Sequence, residues 1–295
     1  MSVSERLVEL GGVATRHSLV LLTSRVEVDR ALLAGEIVAD ARGRYALPAT
    51  DEAVRRAHAL SGLLSLTSAA LWHGWEVKTV PERPHVIVPR KRRVSTDRRA
   101  SVELHRGDVH TDDVADGIAT GIELTLLQCL SRLRFDEALA IADSALRHGV
   151  LPATLRRVAG SARGPGSPQV RRVAVVATGE AANPFESVLR AIAIDVPGLS
   201  VRPQVGIRTA SSFARPDLVD EDLRIVLEAD SFAWHGDRAS LARDARRYNL
   251  LVVDDWLVLR FAYEDVMFDA SYVRLVLEAL VHARTEAARC ACGAA

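Results

Sequence analysis

A chain of 295 residues is long for one domain and predicts about two, each large enough to bury its own core. Hydrophobic residues make up 48% and charged residues 26%, a balance that excludes disordered and fibrous classes, and no apolar run approaches the roughly 20 residues that a membrane-spanning helix needs. Formal charge is zero, from 38 basic and 38 acidic residues, so nucleic-acid contact would have to come from local segregation of charge rather than from a global field. Met1 is followed by Ser4, Glu5 and Arg6 and an amphipathic stretch, not by a basic start, an apolar block and a small-residue cleavage site, which predicts a cytoplasmic protein with no membrane partner. Cys129 lies in an apolar helical stretch and Cys290 and Cys292 in an Ala-rich tail with no second pair, so structural zinc is not expected.

Residues 4–47 read as three helices and a short hairpin. Ser24 and Glu27 form a capping box for the third helix, Val28, Leu32 and Leu33 mark its apolar face, and Gly35 ends it. Ile37, Val38, Tyr45 and Leu47 flank a turn at Ala41 to Arg44, which suits a two-stranded wing. The order is that of a winged helix-turn-helix, whose third helix would set Arg25, Asp29 or Arg30 in the major groove of DNA; the plainer alternative is a three-helix packing module with surface arginines. Residues 58–110 predict an apolar helix from Leu60 to Trp72 and strands at His85 to Pro89 and Val102 to His105. Between those strands stand Arg90, Lys91, Arg92 and Arg93, then Arg98 and Arg99, suited to phosphate contact or else to a solvated hairpin loop. Two helices follow, Ile122 to Leu133 and Phe135 to His148, and Ser161 to Pro168 reads as the domain boundary.

Beyond that loop helices and strands alternate. Asn183, Pro184 and Glu186 begin a helix, a strand runs from Val201 to Ile207, and Asp217 precedes a hairpin turning at residues 221–224 into the strand that ends in Glu228 and Asp230. Such a hairpin sets Asp217 and Glu228 opposite each other, and the two-residue spacing of Glu228 and Asp230 puts both on one face. Carboxylates of this kind are the hard ligands that magnesium takes, and Asp217, Glu228 and Asp230 are the candidate ligands for Mg2+ or Mn2+. Glu186 has a second explanation, because an Asn-x-x-Glu start is a capping box with or without a metal. His235, beside Trp234, is placed to act as a base or a phosphate donor. Arg243 and Arg247 share a helix face, for DNA or for pairing with acids, before a strand from Trp256 to Phe261.

The run Asn183-Pro184-Phe185-Glu186, then Arg215-Pro216-Asp217, Leu227-Glu228-Ala229-Asp230, Trp234-His235-Gly236, Arg243-Asp244-Ala245-Arg246-Arg247 and Trp256-Leu257-Val258-Leu259-Arg260-Phe261 resembles the PD-(D/E)XK nuclease superfamily, specifically the bacterial branch related to the very-short-patch repair endonuclease. The resemblance covers about residues 180–285 and implies a restriction-endonuclease-like mixed sheet flanked by helices, with magnesium-dependent cleavage or nicking of DNA. It implies Glu186, Asp217 and Glu228 as the acidic set and His235 as the active-site histidine. The superfamily's usual lysine position is Asp230 here, a Glu-x-Asp form familiar in this branch, which leaves the water-activating and charge-neutralising role without its usual cation. Residues 4–47, with Gly12-Val13-Ala14-Thr15-Arg16 and Arg44-Tyr45-Ala46-Leu47-Pro48, are similar to the N-terminal region of abortive-infection type IV antitoxins, which implies a DNA-binding autoregulator and leaves a homodimer or a cognate toxin open as partners.

The expected architecture is α/β, α+β overall: residues 1–50 as a winged-helix DNA-binding domain, 51–165 as a middle α+β connector and 180–285 as an endonuclease-like domain. The expected function is a metal-dependent DNA endonuclease that hydrolyses or nicks phosphodiesters. The alternative is a non-catalytic DNA-binding regulator that keeps a nuclease fold for its shape. An RNA-directed nuclease ranks below both, since four Tyr and six Phe offer little to stack bases on.

Overall fold

The computed structural model describes residues 1–208, 213–230 and 238–293, the side chains of 238–242, 244 and 287–293 excepted. The fold is α+β, with mixed sheets flanked by helices. The chain divides into two compact units, one made of Met1–Trp75, Thr79–Arg132 and Thr154–Pro165, the other of Glu76–Lys78, Leu133–Ala153 and Gly166–Ala295. The segment 51–165, expected as one connector, is therefore shared between the two, and the later crossing between Pro165 and Gly166 falls within the Gly- and Pro-rich loop. No described helix is long and apolar enough to cross a membrane.

The first unit begins with α1 (Val3–Glu9), β1 (Val13–Thr15), α2 (Arg16–Leu22), α3 (Arg25–Leu33), β2 (Val38–Ala41) and β3 (Arg44–Ala46). Ser24 caps α3 by accepting from Glu27 N–H, and Gly35 closes it at positive φ. The strand β1 is an addition to the expected elements, because three residues show no periodicity of their own; it lies antiparallel to β3 and makes the wing a three-stranded sheet, β1-β3-β2. Alternation along these strands serves two cores. Ala14 and Tyr45 pack against Leu7, Leu19 and Val28 of the helices, while Val13 and Ala46 pack with Leu64, Val86 and Ile118 of the next sheet.

That next part holds α4 (Glu52–Ala59), β4 (Leu63–Leu64), α5 (Leu66–Trp72), β5 (His85–Val88), α6 (Thr96–Ala100), β6 (Glu103–Arg106), β7 (Val114–Ala115), β8 (Ala119–Thr120) and α7 (Ile122–Arg132). Its sheet runs β6-β5-β4-β8-β7. Two expectations are corrected here. The apolar run from Leu60 to Trp72 is not one helix, because the chain turns through positive φ at Ser61 and pairs as β4 before α5 begins. The strands around the arginine-rich segment are not a hairpin: β5 and β6 run parallel, which needs a crossover, and α6 lies within it.

The second unit contains α8 (Phe135–Arg147); α9 (Pro152–Ser161) carries the chain out of it, and α10 (Ser167–Val176) and α11 (Pro184–Ile194) follow the return. Then come β9 (Arg202–Pro203), the short ribbon β10 (Ile207–Arg208) and β11 (Phe213–Ala214), and β12 (Leu218–Asp220), β13 (Ile225–Asp230), α12 (Arg238–Val253), β14 (Leu257–Ala262), α13 (Tyr263–Phe268) and α14 (Ala270–Gly293). The sheet β14-β13-β12-β9 is mixed, with β13 parallel to β14 and antiparallel to β12. The strand expected from Val201 to Ile207 is broken after Pro203, where Gln204 adopts a φ of 55° that no strand residue takes. One sheet face presents Leu218, Ile225, Leu227 and Phe261 to α11, α13 and α14. The other presents Val219, Val226 and Val258 to Leu251 and Tyr248 of α12.

A buried ion pair fastens α8 to α11. Both oxygens of Asp143 accept from Arg190 Nη2, at 2.8 and 2.7 Å, with the two side chains 0% and 5% exposed. Removing one partner strands a charge in the core, so Asp143→Ala should lower the stability of this unit by about 3–5 kcal/mol in urea unfolding. The double change Asp143→Leu with Arg190→Met should recover most of the loss, and a single variant as stable as wild type would show that the pair is dispensable.

Candidate acidic site

The site grows from the start of α11. Asn183 is the N-cap, its Oδ1 accepting from Glu186 N–H at 3.0 Å, and Pro184 occupies the first helical position, where a missing N–H costs nothing. Glu186 is thereby turned back on the cap, accepting from Ala182 N–H at 2.8 Å and Asn183 Nδ2 at 3.0 Å. A third donor comes from outside the helix, Gln204 Nε2 at 3.1 Å, and the same amide nitrogen lies 3.4 Å from Asp217 Oδ1. The cap and the acidic cluster are two uses of one buried carboxyl.

Asp217 and Glu228 are set by the hairpin of β12 and β13. The register pairs Leu218 with Leu227 and Val219 with Val226, and its continuation puts Asp217 opposite Glu228. Asp217 Oδ2 accepts from Ala229 N–H at 2.9 Å, and its carboxyl interacts with that of Glu228. From α12, Arg247 Nη2 lies 3.4 Å from Glu228 Oε1 and donates to the Tyr248 hydroxyl at 2.8 Å.

Burial dominates the electrostatics. It pushes the carboxyls of Glu186 and Asp217 above their ordinary values, and the charge of Asp217 raises Glu186 further. Glu228 is pushed up to about 7, first by burial and then by Asp217, against the opposing pull of Arg247. Arg147 opposes the rise at Glu186 and Arg247 that at Glu228, but neither cancels it.

Of the candidate ligands, Asp230 goes elsewhere: its carboxylate is bound to Arg260 Nη2 at 2.5 Å. Among the described residues, no group of three or more histidine, cysteine or acidic side chains stands arranged to hold a metal ion. His235 and its neighbour Trp234 lie outside the described residues. Gln204, Tyr248 and Arg260 are site residues that sequence reasoning missed, and their only signal was chemical type next to a motif: an amide before Asp217, an aromatic after Arg247, a cation on the following strand.

The candidate DNA contacts divide. In the first unit Arg25 and Arg30 are exposed on α3, whereas Asp29 is bound by Arg16 at 2.5 Å and so is spent within the fold. Arg90, Lys91, Arg92 and Arg93 are all exposed, on a segment whose carbonyls at Arg90 and Arg92 accept from Arg106 at 3.3 and 2.7 Å. Arg92 lies close enough to Arg44 of the wing for its charge, after burial, to hold that guanidinium below its ordinary value. In the second unit Arg243 is exposed, while Arg247 belongs to the acidic cluster.

No family model matches the chain, and no curated protein does. Among solved structures it is similar to the crystal structure of RV2827C protein from Mycobacterium tuberculosis, at 15% identity and a TM-score of 0.32, over 63% of this chain and 78% of that one.

The raised carboxyls fix the sign of a pH effect. Folded Glu228 keeps its proton up to about 7 against an ordinary 4.5, so it stabilises the fold fully below 4.5 and that contribution is lost as pH rises through 7. In metal-free buffer wild type should lose on the order of 2–3 kcal/mol between pH 5 and 8, at ~1.4 kcal/mol per pKa unit. Thermal unfolding of Glu228→Gln should show most of that slope gone, and an unchanged slope would place the proton elsewhere.

Proposed function

We propose that this chain is a metal-dependent DNA endonuclease of the cytoplasm, with its chemistry at Glu186, Asp217 and Glu228. The observation that carries the proposal is the convergence of three carboxyls, Glu186 and Glu228 buried and Asp217 half-buried, each raised by desolvation, from the first turn of α11, the residue before β12 and β13. A stable core does not benefit from such a set, because buried acids without matching charge are costly. A divalent cation relieves the shortage.

Magnesium or manganese bound there would polarise a phosphoryl oxygen and lower the pKa of an attacking water. The chain's own residues supply the rest. Gln204 holds Glu186 and Asp217 in one orientation, and the Ala229 N–H fixes Asp217. Glu228, whose carboxyl burial raises in the metal-free protein, would be held ionised as a ligand once the cation is bound. In the hydrolysis a water oxygen bonds to phosphorus as one ester P–O bond breaks; the water's proton passes to a carboxylate, and the leaving oxygen takes one from solvent. Arg25 and Arg30 on α3 and the loop Arg90, Lys91, Arg92 and Arg93 are the proposed phosphate contacts of the first unit, adding affinity but little sequence information.

Purified wild type should nick or linearise supercoiled plasmid with magnesium or manganese, and Asp217→Ala and Glu228→Ala should each lower the rate by about 100-fold or more. Equal cleavage by all three would remove the site, and DNA binding without cleavage by wild type would favour a non-catalytic regulator. Replacing Arg90, Lys91, Arg92 and Arg93 by Ala should weaken binding to all sequences alike and flatten its salt dependence, by about one unit of slope for each phosphate no longer neutralised. A salt slope unchanged in filter binding would remove the loop from the interface.

A further inference from the structure

We infer that Arg260, held together with Arg247 against the ring of Tyr248, is the cationic contact for the scissile phosphate, an assignment that rests on the endonuclease reading. Glu228 and Asp230 share one face of β13, so that strand brings no cation to it. The neighbouring strand does. Parallel pairing of β13 with β14 sets Arg260 opposite Glu228, and alternation puts it on the same sheet face as Val258, the face covered by α12.

The two guanidinium groups are arranged around one ring. Arg260 and Arg247 each lie 4.8 Å from the centre of Tyr248, whose hydroxyl accepts from Arg247. Stacking on an aromatic face restrains a guanidinium's plane while leaving its N–H edge available to bind an oxyanion. Arg247 spends that edge partly on buried Glu228. Arg260 spends it on Asp230, in a pair whose side chains are 39% and 30% exposed and so open to exchange. A phosphate presents the same paired oxygens to the guanidinium fork as a carboxylate does. Asp230 is then a placeholder that aims Arg260 until a phosphodiester oxygen displaces it.

The test uses the full chain with manganese and the small diester bis(p-nitrophenyl) phosphate, which is too short for the DNA contacts of the first unit. Arg260→Ala should lower kcat by roughly 100-fold with manganese affinity unchanged by calorimetry, and Arg260→Lys should restore part of it. Isothermal titration with inorganic phosphate should show binding lost in Arg260→Ala and tightened in Asp230→Asn, which frees the guanidinium; a merely structural ion pair predicts no gain from Asp230→Asn. If wild type cleaves and Arg260→Ala keeps its kcat, the assignment fails and the endonuclease reading stands. If wild type cleaves nothing yet loses phosphate with Arg260→Ala, the endonuclease reading fails and the phosphate contact stands. Phosphate binding that is absent from wild type or equal in all three proteins overturns the assignment.

Discussion

The guanidinium of Arg190 and the carboxylate of Asp143 meet where almost no water reaches them, and the second unit is arranged around the need to satisfy both. Neither is left to its partner alone. Arg190 Nη1 also donates to the carbonyl of Val176, and Asp143 Oδ1 also accepts from Thr178 N–H. Two charges on α8 and α11 therefore grip the backbone that leads into α11, and that backbone continues to Ala182, the donor to Glu186. A buried pair of this kind adds little net stability over an apolar substitute, but it tolerates only one relative placement of the elements that carry it. Here the placement it enforces is that of the acidic helix start.

The acidic site obeys the opposite rule. Its carboxyls stand at the edge of an apolar sheet, Glu186 and Glu228 buried and Asp217 half-buried, and desolvation raises all three. Two arginines approach from α12 and β14, but each is committed to a different acid, Arg247 to Glu228 and Arg260 to Asp230. Tyr248 keeps both in place. The result is a compact alternation of acidic and basic side chains around one ring. Gln204 is one strained residue here, and its positive φ ends β9 and brings its amide to two carboxyls at once.

The first unit is organised by sheets that share residues between cores. The small strand β1 turns a two-stranded wing into a sheet with two buried faces, and so joins the three helices to the five-stranded sheet behind them. The wing and the arginine-rich crossover come close at Arg44 and Arg92, and like charges tolerate that proximity only on a surface open to counterions.

Wherever a local signal sufficed, the element was legible in the sequence: the Ser24 and Asn183 caps, the stop at Gly35, the helices on either side of residue 134, and the hairpin that sets Asp217 against Glu228. These depend on a few neighbouring residues and on periods of 3.6 and 2, which need no tertiary information. Partnership was decided by the tertiary structure alone. β1 exists because β3 offers it hydrogen bonds, β5 and β6 are parallel because α6 crosses between them, and the expected strand through Val201 to Ile207 fails because Gln204 is pulled out of line. The acidic set divided in the same way. Spacing put Glu228 and Asp230 on one face, but only folding supplied Arg260 from the next strand to claim Asp230, and it was burial first, a property of the packed unit, that raised the pKa values of Glu186, Asp217 and Glu228.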